Sequence, residues 1–142
     1  INYFSGTFLL KEKKLINQIL NSFGTNYEVK KESEINSFTA ISGSGPAYVT
    51  YLLEALVTAN QSLGATKRQS EEIALSLFKD TIAMIDNDFS LKKIQNLQKQ
   101  ITSKGGTTEA ALKVFNKKRL SNILKQGMKE GKKRADMLGK IN

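Results

Sequence analysis

The sequence predicts a mainly α-helical domain preceded by a small strand–helix–strand unit. Three observations lead there. From Ser33 onward, apolar residues recur at helical spacing in one stretch after another. The single proline and most of the glycines fall at the joints between those stretches. Before Ser33, two brief β-type runs flank one amphipathic helix.

Taken in order, residues Ile1 to Leu10 read as a short strand and a loop, broken at Ser5-Gly6. Lys11 to Phe23 is an amphipathic helix with Leu15, Ile16, Ile19, Leu20 and Phe23 on one face, and Gly24 closes it. Asn26 to Lys30, with Tyr27 and Val29, makes a second brief strand. Two short strands and one helix cannot cover both faces of a sheet. Residues 1–35 are therefore expected to be the end of a larger α/β domain, and residues 36–142 a separate all-α domain.

In that second segment, Glu34 to Ile41 leads into Ser42-Gly43-Ser44-Gly45-Pro46, where the proline suits a first helical turn. The run from Ala47 to Ala59 is apolar nearly all round, which predicts a helix buried on every side. In a chain this small, that means burial against a second subunit. Gly64 ends the helix. Lys67 to Ile85 follows, with Thr66 as N-cap and Ile73, Leu77, Phe78, Thr81, Ile82 and Ile85 turned inward. Asp86-Asn87-Asp88 lacks the spacing and bidentate glutamate of a calcium loop and reads as a turn. Leu91, Ile94, Leu97 and Ile101 mark another helix, and Ala110, Ala111, Val114 and Phe115 a short one broken at Asn116-Lys117-Lys118. The last helix runs from Leu120 to Leu138 with Ile123, Leu124, Gly127, Gly131 and Ala135 on one face. Small residues four apart let helices approach closely. Each mid-helix glycine costs about 0.5–1 kcal/mol, so tight packing is expected to offset Gly127 and Gly131. Lys125, Lys129, Lys132 and Lys133 read as solvated surface.

Composition removes several chemistries. With no cysteine and no histidine, there is no disulfide, thiolate metal site, cysteine nucleophile or Ser-His-Asp triad, and no metal is expected. The net charge of +9 is mostly lysine, with Arg68, Arg119 and Arg134 as the only arginines. Base readout and bidentate phosphate clamps favour arginine, and no aromatic-rich basic stripe accompanies the lysines. Nucleic acid is therefore not an expected partner. The longest apolar run is too short to span a membrane and contains Glu54. No signal peptide is read at the start, and a cytoplasmic location is expected.

The stretch with the most chemistry is Ile101-Thr102-Ser103-Lys104-Gly105-Gly106-Thr107-Thr108-Glu109, a polar loop with adjacent glycines that runs into a helix. A helix start leaves several N–H groups unpaired, and glycines let backbone approach a ligand closely. Such a terminus suits a carboxylate or phosphate. The competing reading is a capped helix start with Glu109 reaching back.

Two motifs are recognisable together: Thr39-Ala40-Ile41-Ser42-Gly43-Ser44-Gly45-Pro46-Ala47-Tyr48, and Thr102-Ser103-Lys104-Gly105-Gly106-Thr107-Thr108. In both, the chain resembles the C-terminal half of the pyrroline-5-carboxylate reductase family, over about Tyr27 to Leu138. The resemblance implies a Rossmann NAD(P)-binding domain, of which residues 1–35 would be the remnant. It implies that an all-helical domain of the 6-phosphogluconate-dehydrogenase C-terminal type follows and dimerises through interleaved helices. The partners implied are a second copy of the chain, with larger rings of dimers in some members, and a small imino acid substrate. The implied reaction is hydride transfer from NADPH or NADH to the C=N bond of 1-pyrroline-5-carboxylate, giving L-proline. By resemblance, Thr39 would hydrogen-bond the ring nitrogen. Ser103, Gly105, Gly106, Thr107 and Thr108 would receive the substrate carboxylate, and Ile101 and Thr102 would wall the pocket near the nicotinamide.

The sequence departs from the family at Lys104, where the family has proline, and between Asp86 and Gln100, where it lacks the usual turn proline. No G-x-G-x-x-G follows a strand anywhere in the 142 residues. Ser42 to Gly45 opens a helix instead and reads as a close-packing or bend element. These residues are thus expected to be inactive on their own. The alternative reading is a non-catalytic helical dimerisation module.

Overall fold

The structure, a computed structural model, describes residues 1–139. The last three residues of the 36–142 segment and the side chain of Asp88 in the expected turn lie outside the described part. The elements are β1 (Asn2–Phe4), α1 (Leu10–Asn21), β2 (Asn26–Glu28), α2 (Glu32–Phe38), α3 (Gly45–Ser62), α4 (Lys67–Ile85), α5 (Leu91–Ile101), α6 (Thr107–Lys117) and α7 (Leu120–Leu138). One π-helical turn, Thr39–Gly43, joins α2 to α3, and a 3-10 turn, Asp86–Asp88, follows α4. The order is the strand–helix–strand unit followed by helices that the sequence predicts.

The residues fall into two compact units: Ile1–Tyr48 together with the segment from Asn122 onward, and Val49–Ser121. In the first unit, β1 and β2 pair in parallel, with Asn2 opposite Asn26, Tyr3 opposite Tyr27 and Phe4 opposite Glu28. A parallel pair needs a crossover, which α1 supplies. Tyr3 stacks on Tyr27 and Phe38, with ring centroids 5.9 and 4.9 Å apart. Two strands give α1 little to pack on. Leu15, Ile19 and Phe23 stay largely exposed, although the periodicity gives them one shared face.

In the second unit, the N-terminus of α4 is fixed by a reciprocal cap. The Thr66 hydroxyl accepts the Gln69 N–H at 3.3 Å, and the Gln69 side chain accepts the Thr66 N–H at 3.0 Å. Thr66 as N-cap is therefore as predicted, while Gln69 as its partner is an addition. At α5, the Ser90 hydroxyl accepts the Lys93 N–H at 3.1 Å.

The backbone passes from α2 through the π-helical turn directly into α3, so Ser42 to Gly45 opens a helix as expected. Proline in the first turn of α3 has no intrahelical donor to lose, so the helical path continues through it. The short helix α6 ends at Lys117 with Lys118 as its C-cap, within the expected break at Asn116-Lys117-Lys118, and the reversal is made by Arg119 at φ 53°. One expectation needs correction: on α4, Ile85 is buried as expected, but Ile73, Leu77 and Ile82 are about half exposed and the other buried residues are Ser70 and Ala74. Apart from Ile85, the helix buries small residues and leaves large apolar side chains uncovered.

That last feature is general. Among the described residues the buried apolar side chains are Val29, Ala40, Ala74 and Ile85. Helix α3 contains no buried residue at all, although its sequence is apolar nearly all round. Val49 and Tyr51 on it are exposed, as are Leu75 and Met84 on α4.

Candidate functional site

The predicted site residues belong to different units, and each group has its own local geometry. Ile101 is the last residue of α5, and Thr102 is its C-cap in extended backbone. The Thr102 hydroxyl donates to the Gln98 carbonyl at 2.6 Å, which closes the helix end. Ser103 to Gly106 then form a turn in which the Gly106 N–H donates to the Ser103 carbonyl at 3.1 Å. Gly105 takes φ 75°, a conformation that strongly favours glycine. A Cβ on Gly106 would lie 2.4 Å from the Ser103 hydroxyl oxygen, so position 106 has no room for a side chain in this conformation.

Gly106 is the N-cap of α6, in extended backbone, and no side chain caps that end. The first-turn amides of Thr107, Thr108 and Glu109 therefore face outward without an intrahelical acceptor, as at any helix start. Their dipoles favour an anion. One loop amide is already engaged: the Glu109 carboxylate accepts the Gly105 N–H at 2.7 Å. Lys113 Nζ lies 3.4 Å from the same carboxylate. The capped reading and the anion reading thus apply to different amides of one loop. Ser103, Lys104 and Thr107 are exposed, and Thr108 is partly covered.

Thr39 lies in the other unit, at the first position of the π-helical turn. It is exposed, so the alternative of an ordinary buried helix threonine does not describe it. Its carbonyl accepts the Ser44 N–H at 3.2 Å, the long-range bond that defines the π turn. Such turns are frequent at functional sites and had no signal in the periodicity. The next residue, Ala40, is 2% exposed, and its carbonyl accepts the Tyr48 hydroxyl at 3.0 Å.

Gly43 and Gly45 sit in this helical backbone, not between a strand and a helix. The Ser42 to Gly45 stretch therefore does not form the strand-to-helix cradle of a dinucleotide site. Among the described residues there is also no group of three or more Asp, Glu, His or Cys that could hold a metal ion. No described helix is long and apolar enough to cross a membrane.

The family model for pyrroline-5-carboxylate reductase dimerisation matches residues 32–138, from the start of α2 to the end of α7. The chain belongs to the pyrroline-5-carboxylate reductase family. Relatives include the pyrroline-5-carboxylate reductase of Staphylococcus haemolyticus, 41% identical over 86% of this chain and 44% of the relative. That of Staphylococcus saprophyticus is 38% identical over 84% of this chain and 43% of the relative. Among solved structures, the pyrroline-5-carboxylate reductase of Coxiella burnetii superposes with a TM-score of 0.83 at 31% identity, covering 96% of this chain and 50% of that one. The Plasmodium falciparum pyrroline carboxylate reductase, solved with NADP bound, gives a TM-score of 0.80 at 28% identity, covering 96% and 53%. This chain thus spans about half the length of the reductases it matches. Within the family, its match is to the helical dimerisation domain preceded by a short strand–helix–strand element.

Proposed function

We propose that these residues act as the helical dimerisation module of a pyrroline-5-carboxylate reductase and do not transfer hydride on their own. The observation that carries this reading is helix α3: apolar nearly all round, matched by a dimerisation model, and without one buried residue in the single chain. Burial of its side chains against a second copy would supply the core that one chain lacks, at roughly 25 cal/mol per Å² of apolar surface. Residues 1–35 are then the end of a Rossmann domain, and residues 36–142 the dimerisation and substrate half. Larger rings of dimers are compatible with this assignment.

In the complete reductase, the module's part is to hold and orient the substrate. The open amides of Thr107 and Thr108, with the Ser103 and Thr108 hydroxyls, would bind the carboxylate of 1-pyrroline-5-carboxylate. Gly106 keeps the approach to them free of a side chain. Because Glu109 holds the Gly105 amide, that glycine contributes the turn and not its N–H. Thr39 would donate its hydroxyl to the ring nitrogen, stabilising the developing amine. Ile101 and Thr102 would border the nicotinamide. NADPH or NADH, bound by a nucleotide-binding domain, would supply the hydride that makes L-proline.

The test has two arms. The 142-residue chain alone should oxidise no NADPH or NADH with pyrroline-5-carboxylate. The same residues joined to a nucleotide-binding domain of the family should do so, and Thr108→Ala should raise KM more than it lowers kcat. Turnover by the chain alone, or none by the joined protein, overturns the reading.

A further inference from the structure

We propose that Tyr48 is a positioning residue for Thr39, acting through the Ala40 carbonyl, and that Gly131 of α7 leaves the space for its hydroxyl. This rests on the role of Thr39 given above. A π turn shifts the hydrogen-bond register by one residue, so its carbonyls do not all find regular helical donors. Here the Thr39 carbonyl is taken by the Ser44 N–H at 3.2 Å, and the Ser42 hydroxyl donates to the Phe38 carbonyl at 3.0 Å. The Ala40 carbonyl is served by a side chain from the next helix, the Tyr48 hydroxyl at 3.0 Å.

Ala40 is 2% exposed, so its carbonyl would otherwise lack a solvent partner, a costly state for a buried acceptor. The fold makes room for the donor on the far side. A Cβ on Gly131 would stand 3.1 Å from the Tyr48 oxygen and 3.8 Å from the Ala40 Cβ. A side chain there would press on the hydroxyl, which would have to give by a few tenths of an ångström. A Cβ on Gly43 would likewise stand 3.3 Å from the Thr39 methyl, so the glycine leaves the Thr39 side chain its space. Tyr48 thus ties the residue after Thr39 to α3, with α7 packed behind it. The mid-helix glycine at 131 is explained by this contact.

The test is a double-mutant cycle in the complete reductase. Tyr48→Phe removes only the hydroxyl and is expected to lower kcat about tenfold, with less than a twofold change in KM. In a Thr39→Val background the same change should lower kcat less than twofold, because its route of action has already been removed. Gly131→Ala should reproduce the Tyr48→Phe effect. Hydrogen exchange of the Ser44 amide in the complete protein is a readout independent of turnover, and Tyr48→Phe should speed it about tenfold. Unchanged kcat and unchanged Ser44 exchange in Tyr48→Phe overturn the proposal, as does an equal loss in both backgrounds. If Thr39→Val itself keeps full activity, the role of Thr39 fails instead, and the exchange measurement still decides whether Tyr48 holds the turn.

Discussion

The Glu109 carboxylate accepts the Gly105 N–H at 2.7 Å, closing the turn that leads into α6. The bond is charge-assisted and stabilises a glycine at φ 75°. Glu109→Ala should therefore cost about 1 kcal/mol, on the scale of a lost N-cap. Glu109→Gln, which keeps an acceptor, should recover most of it. Urea denaturation at fixed protomer concentration checks both. Equal losses would show that the charge beside Lys113, and not the hydrogen bond, is what matters.

Gly106→Ala brings a Cβ to 2.4 Å from the Ser103 oxygen. The serine side chain must rotate away from the loop or the turn must open. In the complete reductase KM for the imino acid should rise about tenfold, equivalent to roughly 1.4 kcal/mol of binding. Steady-state kinetics reads this directly, and an unchanged KM would detach the loop from the carboxylate.

Thr66→Ala removes the hydroxyl half of the reciprocal cap on α4, while the Gln69 side chain can still accept the backbone N–H of residue 66. The expected loss is about 1 kcal/mol. A change below a few tenths in the denaturation midpoint energy would mean that the α4 start frays without consequence.

Nothing lies within 4 Å of where a Cβ on Gly127 would sit, in contrast to Gly131. Within one chain, Gly127→Ala should stabilise α7 by about 0.5–1 kcal/mol. Thermal melts at several concentrations test this. A concentration-dependent loss would place a partner's backbone against Gly127.

The element order was legible where a helix is bounded by a residue with a local reason to be there. Thr66 caps, Gly64 reverses the chain at φ 99°, and Pro46 suits a first turn, while the Ser90 cap of α5 was not read from the sequence. Periodicity read α3 as buried on every side, whereas the single chain buries none of its residues. It could not tell which apolar residues one chain buries. Ile73, Leu77 and Ile82 share a helical face and remain half exposed, because what covers them is not in the same chain's sequence neighbourhood. The π turn at Thr39 was invisible for a similar reason. It depends on Tyr48, a full helical joint away, and on Gly131, more than eighty positions further on. At the loop, sequence alone left a cap and an anion site as alternatives. Geometry assigns Gly105 to the cap and leaves the first-turn amides of α6 uncapped.

Burial of α3 against a second copy makes the chain a dimer in solution. Sedimentation equilibrium of the 142-residue chain at micromolar concentration reads this without any assay of turnover. A single species at twice 15.8 kDa is expected. Leu77→Asp, on the uncovered face of α4, should shift it toward the protomer. A well-folded species at 15.8 kDa across the whole concentration range would rule the dimer out.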